Sequence, residues 1–232
     1  MNLYHCFWVG PWRPLLYLSL CSLLRTQLNA HIVLWTFPQY VDDYRQQLRS
    51  LPIHVREFRF SVPVGVPFAG PVEQSDYARH IILYRHGGIY FDLDTLWLKP
   101  LTLPGEWVYQ WSNSTCANSA VMRLEKGSKT ARRLFTRGTR ISSFYPLDLY
   151  RLDELRKRGI SITVHPCKWF DPMWEAADAG LASFDDFFII DGDTEQFYPD
   201  SYCYHWHNQW EREISDGTIA GRFWRKYVGS FF

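Results

Sequence analysis

The sequence predicts an α/β fold in which helices flank a mixed, largely parallel central sheet. Short apolar segments alternate with amphipathic ones, and this alternation favours a layered architecture. The chain has 232 residues, and 47% of them are hydrophobic, as in ordinary globular proteins. A chain of this length suits one domain, so we expect a single domain covering residues 1–232.

The elements follow one another in a regular order. Hydrophobic pattern and turn signals predict a strand at 5–10, a helix at 14–28, a strand at 31–35, a helix at 41–50 and a strand at 54–60. A loop rich in proline and glycine follows at 61–71, and Gly87 ends a helix that begins near residue 73. The apolar segment 88–99, GIYFDLDTLWLK, is predicted to form one buried strand.

Charge, hydropathy and cysteine content exclude several classes of protein. The 25 basic and 24 acidic residues nearly cancel, which argues against a nucleic-acid-binding protein. The apolar run at 15–24 is too short to cross a bilayer, so we expect a buried helix and no transmembrane segment. Five cysteines without a CxxC pair favour reduced thiols, and hence a cytoplasmic location.

Asp92 and Asp94 lie in the most apolar and aromatic part of the chain. Buried carboxylates are unfavourable unless a partner neutralises them. On a regular strand the two would share a face about 7 Å apart, and both would reach one small cation only if the strand bends or ends there. Carboxylate oxygens suit Mg²⁺ or Mn²⁺. Two solvent-facing aspartates at a strand end would produce the same short pattern.

Asp76 and Arg79 are three residues apart on the predicted helix, so they share one face. They form either a solvated ion pair of little energetic value or a pair directed at a ligand.

One resemblance concerns phosphoryl chemistry. The segment FDLDTL resembles the first motif of haloacid-dehalogenase-type phosphatases, in which the first aspartate, here Asp92, is the nucleophile. The segment DGDTEQ at 191–196 is similar to their later acidic motif, but it lacks a further aspartate at the expected spacing. This class remains an alternative.

A longer stretch, SDYARHIILYRHGGIYFDLDTLWLKPL at 75–101, resembles the signature of DXD-motif glycosyltransferases of the sugar-binding-region class. That class includes Golgi α-mannosyltransferases, α-1,4-galactosyltransferases and bacterial polysaccharide glycosyltransferases. Thirteen positions match in order: Ser75, Asp76, Arg79, Leu83, Tyr84, Gly87, Gly88, Tyr90, Asp92, Asp94, Lys99, Pro100 and Leu101. Such an ordered run is far more specific than a bare D-x-D.

Two further segments agree with this resemblance. The segment FWVG, which contains Phe7, Trp8 and Gly10, resembles the opening strand that approaches the nucleotide base. The segment 116–135 resembles the part of the family in which an asparagine, here Asn118, precedes a strand and a helix.

The segment YHWHNQW at 204–210 resembles the family's C-terminal loop, which is rich in histidine and tryptophan and closes on the diphosphate. Gln209 stands where a small residue or serine is usual, and the spacing departs from the family pattern. His205 and His207 are therefore both candidate metal ligands, and one of them is expected to be a packed loop histidine. Trp210 would complete a lid that excludes water.

The resemblance implies a GT-A fold, which is a Rossmann-like nucleotide-binding domain, and a bound Mn²⁺ or Mg²⁺. Asp92 and Asp94 would be the catalytic pair and the metal ligands, Asp94 directly and Asp92 through water or the ribose. Asp76, Arg79 and Tyr90 would hold the nucleotide or the sugar, and Asn118 would contact the sugar.

The implied reaction is metal-dependent transfer of a hexose-type sugar from a UDP- or GDP-sugar, with UDP favoured, to a glycan, glycolipid or glycoprotein acceptor. The family retains anomeric configuration. No residue identifies a nucleophile, and a front-face mechanism, in which the leaving phosphate activates the acceptor, needs none. A non-catalytic nucleotide-sugar-binding module is a further alternative, against which the intact aspartates argue.

Overall fold

The structure is a computed structural model that describes residues 2–59, 70–112, 114–138, 151–229 and 231. The chain divides into two compact units. The first comprises Met1–Gly10, His31–Asp92 and Pro104–His165, and the second comprises Pro11–Ala30, Leu93–Leu103 and Pro166–Phe232. Most of the loop predicted at 61–71 lies outside the described residues.

Strands and helices alternate from residue 2 to residue 91, as the sequence predicted, and several strands then follow one another directly. The strands are β1 (Asn2–Phe7), β2 (Ala30–Thr36), β3 (Ile53–Glu57), β4 (Gly88–Phe91), β5 (Thr95–Trp97), β6 (Trp107–Gln110), β7 (Ala117–Leu124), β8 (Thr163–His165) and β9 (Cys203–His205). The α-helices are α1 (Pro14–Thr26), α2 (Val41–Gln47), α3 (Pro71–His86), α4 (Lys129–Gly138), α5 (Leu152–Lys157), α6 (Trp174–Asp178), α7 (Asp186–Ile189) and α8 (Ile219–Tyr227).

A seven-stranded sheet organises the first unit, in the order β3-β2-β1-β4-β7-β6-β8. Strand β1 runs parallel to β4, β2 to β3, and β6 to β8. Strand β7 runs antiparallel to both β4 and β6. The predicted α/β fold with a mixed sheet is therefore confirmed.

Two consecutive glycines connect α3 to β4. Gly87 adopts φ 68° and its N–H donates to the carbonyl of Leu83 at 2.8 Å, so it ends the helix as predicted. Gly88 adopts φ 100°, and a Cβ atom there would lie 2.5 Å from the carbonyl oxygen of Leu3. Both positions need glycine, because side chains disfavour these φ values and the neighbouring backbone is too close.

The segment 88–99 is not the single strand that the sequence predicted. Strand β4 ends at Phe91, the residues of the D-L-D motif form a turn, and β5 begins at Thr95 in a separate sheet with β9. The backbone partners change within the motif: the N–H of Asp92 donates to β7, whereas the carbonyl of Asp94 accepts from the residue after β9. The hydrophobic pattern was misleading because nearly all residues of both short strands are buried and neither glycine nor proline separates them.

In the second unit, α1 packs against the chain that follows the D-L-D motif. The hydroxyl of Ser22 accepts the backbone N–H of Trp97 at 3.0 Å. The side-chain amide of Gln27 donates to the carbonyl of Lys99 at 2.9 Å and accepts the N–H of Leu101 at 2.8 Å. These contacts hold the backbone of the residues that follow the D-L-D motif.

No disulfide joins any of the five cysteines, and Cys116 alone among them is not buried. The apolar run at 15–24 lies in α1, a helix of 13 residues with a buried face, as predicted. Across the described ranges, no helix combines the length and apolar character needed to cross a bilayer.

Candidate active site

The first unit contains a buried ionic cluster centred on Arg79. The Arg79 side chain is only 5% exposed. Its Nη2 atom lies 3.0 and 3.1 Å from the two carboxylate oxygens of Asp92 and 2.8 Å from Oδ1 of Asp76. One guanidinium therefore pairs with two carboxylates, which helix α3 and the end of strand β4 bring together.

Two serines complete this cluster. Nη1 of Arg79 donates to the hydroxyl of Ser119 on β7 at 2.8 Å, and the hydroxyl of Ser75 lies 2.9 Å from that of Tyr90. The guanidinium also stacks 4.9 Å above the centre of the Tyr90 ring. Arg79 is thus surrounded by acceptors and an aromatic face from three elements of the fold.

Asp76 is the more deeply buried of the two carboxylates. Burial raises the pKa of Asp76 to about 6, because the lowering effect of Arg79 is smaller and the charge of Asp92 raises it further. The Asp92 side chain remains 22% exposed. Asp92 is therefore the carboxylate of the cluster that is partly open to solvent.

The N-terminal candidates lie at and beyond the end of β1. Phe7 is a core residue, in edge-to-face contact with Phe37 and Phe58. Trp8 is half-buried, and its carbonyl accepts the hydroxyl of Thr36 at 2.7 Å. Gly10 adopts φ 114°, and no heavy atom lies within 4 Å of the position its Cβ would take. Trp8 and Gly10 are therefore the accessible positions, and Phe7 supports them from the core.

Asn118 lies in β7, next to the serine that binds Arg79. Its Oδ1 atom accepts the N–H of Ala120 at 2.7 Å, and the side chain is half-buried. The sequence predicted that Asn118 precedes a strand, whereas in the structure Asn118 is the second residue of β7.

The second unit contains an independent buried cluster centred on His205. The Nε2 atom of His205 lies 3.0 Å from Oδ1 of Asp94, and the side chains are 8% and 4% exposed. The backbone N–H of Asn208 donates to Oδ2 of Asp94 at 2.8 Å. Asp94 is therefore neutralised by the protein itself, as Asp92 is, and not only by a bound cation as the sequence suggested.

A third carboxylate, Asp171, lies behind the two histidines and was not predicted. Its side chain is fully buried; Oδ2 lies 2.7 Å from Nε2 of His207 and 3.7 Å from Nδ1 of His205. The two imidazole rings lie 3.8 Å apart. Asp171 follows a short 3-10 helix, Cys167–Trp169, in the segment WFDPMW. An aspartate inside an aromatic run was the signal available, the same one that drew attention to Asp92 and Asp94.

The charges of this cluster follow from its contacts. Burial lowers the pKa of His205, but Asp94 and Asp171 outweigh burial and raise it to about 10. Burial raises the pKa of Asp94, but the His205 charge outweighs it and lowers the pKa to about 2. Burial and the His205 charge lower the pKa of His207. At neutral pH, Asp94 and His205 are therefore an ion pair, and His207 is neutral.

The loop after β9 is held in a conformation that side chains disfavour. His207 and Asn208 adopt φ values of 50° and 60°. Consecutive left-handed residues that are not glycine are uncommon and carry strain. The conformation directs the Asn208 N–H at Asp94 and places the His207 ring between Trp174 and Phe184, with centroids 4.4 and 4.3 Å away. Trp210, half-buried, lies edge-on to the buried Trp206 at 6.2 Å.

The second cluster fits a divalent cation. Oδ1 of Asp94 makes only the ionic contact to His205, and Nδ1 of His205 and Oδ1 of Asp171 are likewise buried without a well-aligned hydrogen bond from the described residues. Two neighbouring ligand atoms in an octahedral shell of about 2.1 Å radius lie about 3 Å apart. Oδ1 of Asp94 and Nε2 of His205 are separated by 3.0 Å, which matches this spacing. Carboxylate and imidazole donors suit Mn²⁺ well.

Comparison with protein families identifies one region of the chain. Residues 66–122 match the family described as "Glycosyltransferase sugar-binding region containing DXD motif". This region includes the Arg79 cluster and both aspartates of the D-L-D turn. No match to the chain was found among curated protein sequences.

Solved glycosyltransferase structures share the fold. The apo form of the glycosyltransferase GlyE of Streptococcus pneumoniae TIGR4 superposes with a TM-score of 0.59 at 15% identity, over 98% of this chain and 60% of GlyE. Mouse xyloside xylosyltransferase 1 gives a TM-score of 0.52 at 14% identity, over 92% of this chain and 99% of the mouse chain.

A third structure, the PaToxG glycosyltransferase, gives a TM-score of 0.51 at 15% identity, over 67% of this chain and 69% of that chain. At such identities the likeness establishes the fold, and the family match supports a glycosyltransferase. Residues 66–122 therefore match the sugar-binding region of DXD-motif glycosyltransferases, and the chain has the GT-A fold that its sequence implied.

Proposed function

We propose that the protein is a metal-dependent, retaining glycosyltransferase. It would move a hexose-type sugar from a nucleotide-diphosphate sugar, UDP in preference to GDP, to a glycan, glycolipid or glycoprotein acceptor. The observation that carries this proposal is the position of Asp94, the second aspartate of the family motif, at 3.0 Å from His205. The proposal concerns the region present in this chain, which spans 60% of GlyE.

Asp94 and His205 are the proposed ligands of Mn²⁺ or Mg²⁺. Because a ligating imidazole must be neutral, His205 would release the proton that it carries in the metal-free protein. When bound, the cation would act as a Lewis acid that offsets the negative charge developing on the leaving diphosphate. His207 is the proposed packed histidine, since its Nε2 atom is engaged by Asp171 and aromatic rings cover it on two sides.

The Arg79 cluster would present Asp92 to the donor. Asp92 lies two residues before Asp94, so the chain limits the separation of their Cα atoms to about 7 Å. Arg79 is engaged by Asp76 and Asp92, so we assign it to holding Asp92 in place. The accessible edge of Asp92 would accept a hydrogen bond from a ribose hydroxyl or from a metal-bound water. Tyr90 would support the guanidinium through its ring face.

The remaining candidates would act at the edges of the donor site. Trp8 and Gly10, which follow β1, would adjoin the base, with Phe7 packed behind them. Asn118 would contact the sugar. The strained loop that contains Trp210 would cover the diphosphate and exclude water. Retention would follow from attack of the acceptor hydroxyl on the face that the phosphate leaves, with the departing phosphate oxygen taking the proton.

Release of nucleoside diphosphate from a panel of UDP- and GDP-sugars tests this proposal. We expect slow, Mn²⁺-dependent release without an acceptor, because water substitutes poorly for an acceptor hydroxyl. Asp94→Asn should reduce this release by about a hundredfold or more. Asp178→Asn, which alters an exposed carboxylate of the same unit, should leave it unchanged. A protein that binds the donors tightly but releases no nucleotide would be the non-catalytic module. Phosphate release from a simple phosphomonoester that Asp92→Asn abolishes would instead indicate a phosphatase.

A cytoplasmic location forms part of the proposal and is supported by the five free thiols. Alkylation of the denatured protein, isolated without reductant, should modify all five cysteines. A disulfide-linked pair would argue for an oxidising compartment.

A further inference from the structure

We propose that Asp171 is a positioning residue, which holds both histidines of the H-W-H segment so that Nε2 of His205 faces Asp94. This inference rests on the proposed function, because it assigns His205 as a metal ligand. It concerns a residue outside the family-matched region 66–122.

The contacts of the His205 ring support this role. Its Nε2 atom faces Oδ1 of Asp94 at 3.0 Å, and its Nδ1 atom faces Oδ2 of Asp171 at 3.7 Å. The ring therefore lies between two carboxylates, one on each nitrogen. Metal-bound histidines in proteins commonly donate their second N–H to a carboxylate, which fixes the tautomer and strengthens the bond to the metal. Asp171 is the carboxylate beside that nitrogen, and at 3.7 Å the contact is electrostatic, longer than a hydrogen bond.

The contact to His207 explains how Asp171 is itself held. The same oxygen, Oδ2, lies 2.7 Å from Nε2 of His207, and the His207 ring is packed against His205 with centroids 3.8 Å apart. Trp174 and Phe184 fix the His207 ring in turn. His207 therefore supports Asp171 and the His205 ring through contacts that leave His205 as the ligand.

Burial separates this arrangement from a metal centre made of Asp171, His205 and His207 together. The ligand atoms of these three residues lie within 4.8 Å of one another, so such a centre is geometrically conceivable. However, the Asp171 side chain is fully buried, whereas those of His205 and His207 are 8% and 17% exposed. A cation that serves a diphosphate must reach it, and of the two carboxylates beside His205 only Asp94 retains exposure, at 4%.

Mn²⁺ binding to the folded protein, followed by the electron paramagnetic resonance signal of the free ion, tests the role of Asp171. We expect Asp171→Asn to weaken Mn²⁺ binding by about 10- to 100-fold, the range seen when a carboxylate behind a ligating histidine is removed. Asp178→Asn, the matched exposed change, should leave the affinity unchanged. Circular dichroism should show that Asp171→Asn is folded. A folded Asp171→Asn protein with wild-type affinity would overturn the inference.

If Asp171→Asn fails to fold, a second measurement tests the inference on proteins that keep Asp171. Pulsed paramagnetic resonance of bound Mn²⁺ counts the nitrogens attached to the ion. We expect one nitrogen in the wild type, its retention in His207→Gln, and its loss in His205→Gln. Two nitrogens in the wild type, or loss in His207→Gln alone, would overturn the positioning role in favour of direct ligation by the other histidine.

These outcomes separate the inference from the proposed function. If wild-type protein binds Mn²⁺ and cleaves a donor while Asp171→Asn binds equally well, only the inference fails. If wild-type protein neither binds Mn²⁺ nor cleaves any donor, both fail.

Discussion

The Nε2 atom of His205 lies 3.0 Å from Oδ1 of Asp94, although 110 intervening residues separate them in the sequence. Strands β5 and β9 bring them together, because Thr95 pairs directly with His205. The turn of the D-L-D motif and the strained loop after β9 thus meet at one buried ion pair. This relationship links the family motif to the C-terminal loop and supplies the centre of the proposed metal site.

Asp94→Asn should reduce transfer by about a hundredfold or more while leaving the fold intact, because one charged ligand of the proposed cation is lost. The amide can still accept the N–H of Asn208, so the loop keeps its hydrogen bond. Steady-state release of nucleoside diphosphate measures the first effect and thermal unfolding measures the second. An unfolded Asp94→Asn protein would mean that the aspartate is structural.

Asp76→Asn should stabilise the metal-free protein, and more so above about pH 6. An unfolded aspartate ionises near pH 4, whereas burial raises the pKa of Asp76 in the folded protein to about 6. The folded state is therefore penalised progressively as the pH rises from about 4 to 6, and the penalty is constant above that range. Urea unfolding of both proteins at pH 4, 5, 6 and 7 tests this. A stability difference that does not change with pH would contradict it.

Replacing Arg79 should destabilise the first unit strongly. Arg79→Met removes the partner of two carboxylates, and breaking a buried ion pair in this way costs about 3–5 kcal/mol. Arg45→Met is the matched control, since Arg45 is 60% exposed and pairs with an exposed Asp42, a contact worth under about 1 kcal/mol. Chemical denaturation compares the two. Equal losses of unfolding free energy would show that the Arg79 cluster has no special role in stability.

Gly88→Ala should destabilise the junction between α3 and β4 far more than Gly105→Ala. Both glycines have positive φ values. Placing an alanine in the left-handed region costs about 1–2 kcal/mol of folding free energy. Only at Gly88 would the new Cβ also meet backbone, 2.5 Å from the carbonyl of Leu3, whereas no atom lies within 4 Å at Gly105. Thermal unfolding of the two variants measures the difference. If Gly105→Ala is as destabilising as Gly88→Ala, the close approach to Leu3 is not what requires glycine.

The sequence predicted the fold class and the helices and strands before residue 92 because the signals there are local. Pro14 begins a helix, Gly87 ends one, and apolar runs of strand length mark β1 and β2. Pro71 begins the helix that the sequence placed from about residue 73. The break between β4 and β5 could not be predicted in the same way. It depends on which strand each backbone group pairs with, and β7 and β9 lie far along the chain.

The sequence also supplied most of the residues of the candidate site, but not their contacts. The ordered motif contains Asp76, Arg79 and Asp92, which the structure joins in one ionic cluster. Asp171 was missed because it belongs to no recognised motif and its role depends on two histidines more than thirty residues away. The partners of buried charges are set by tertiary contacts, and the pattern of one sequence does not contain them.

Calorimetric titration of UDP and GDP into the protein tests the central claim most directly, that Asp94 and His205 hold a divalent cation which receives the donor's diphosphate. We predict that UDP binds at least about tenfold more tightly in Mn²⁺ than in EDTA, because the cation supplies the positive charge that attracts the diphosphate. His205→Gln should remove this difference, and the exposed change His54→Gln should preserve it. If UDP and GDP each bind as tightly in EDTA as in Mn²⁺, the account is contradicted.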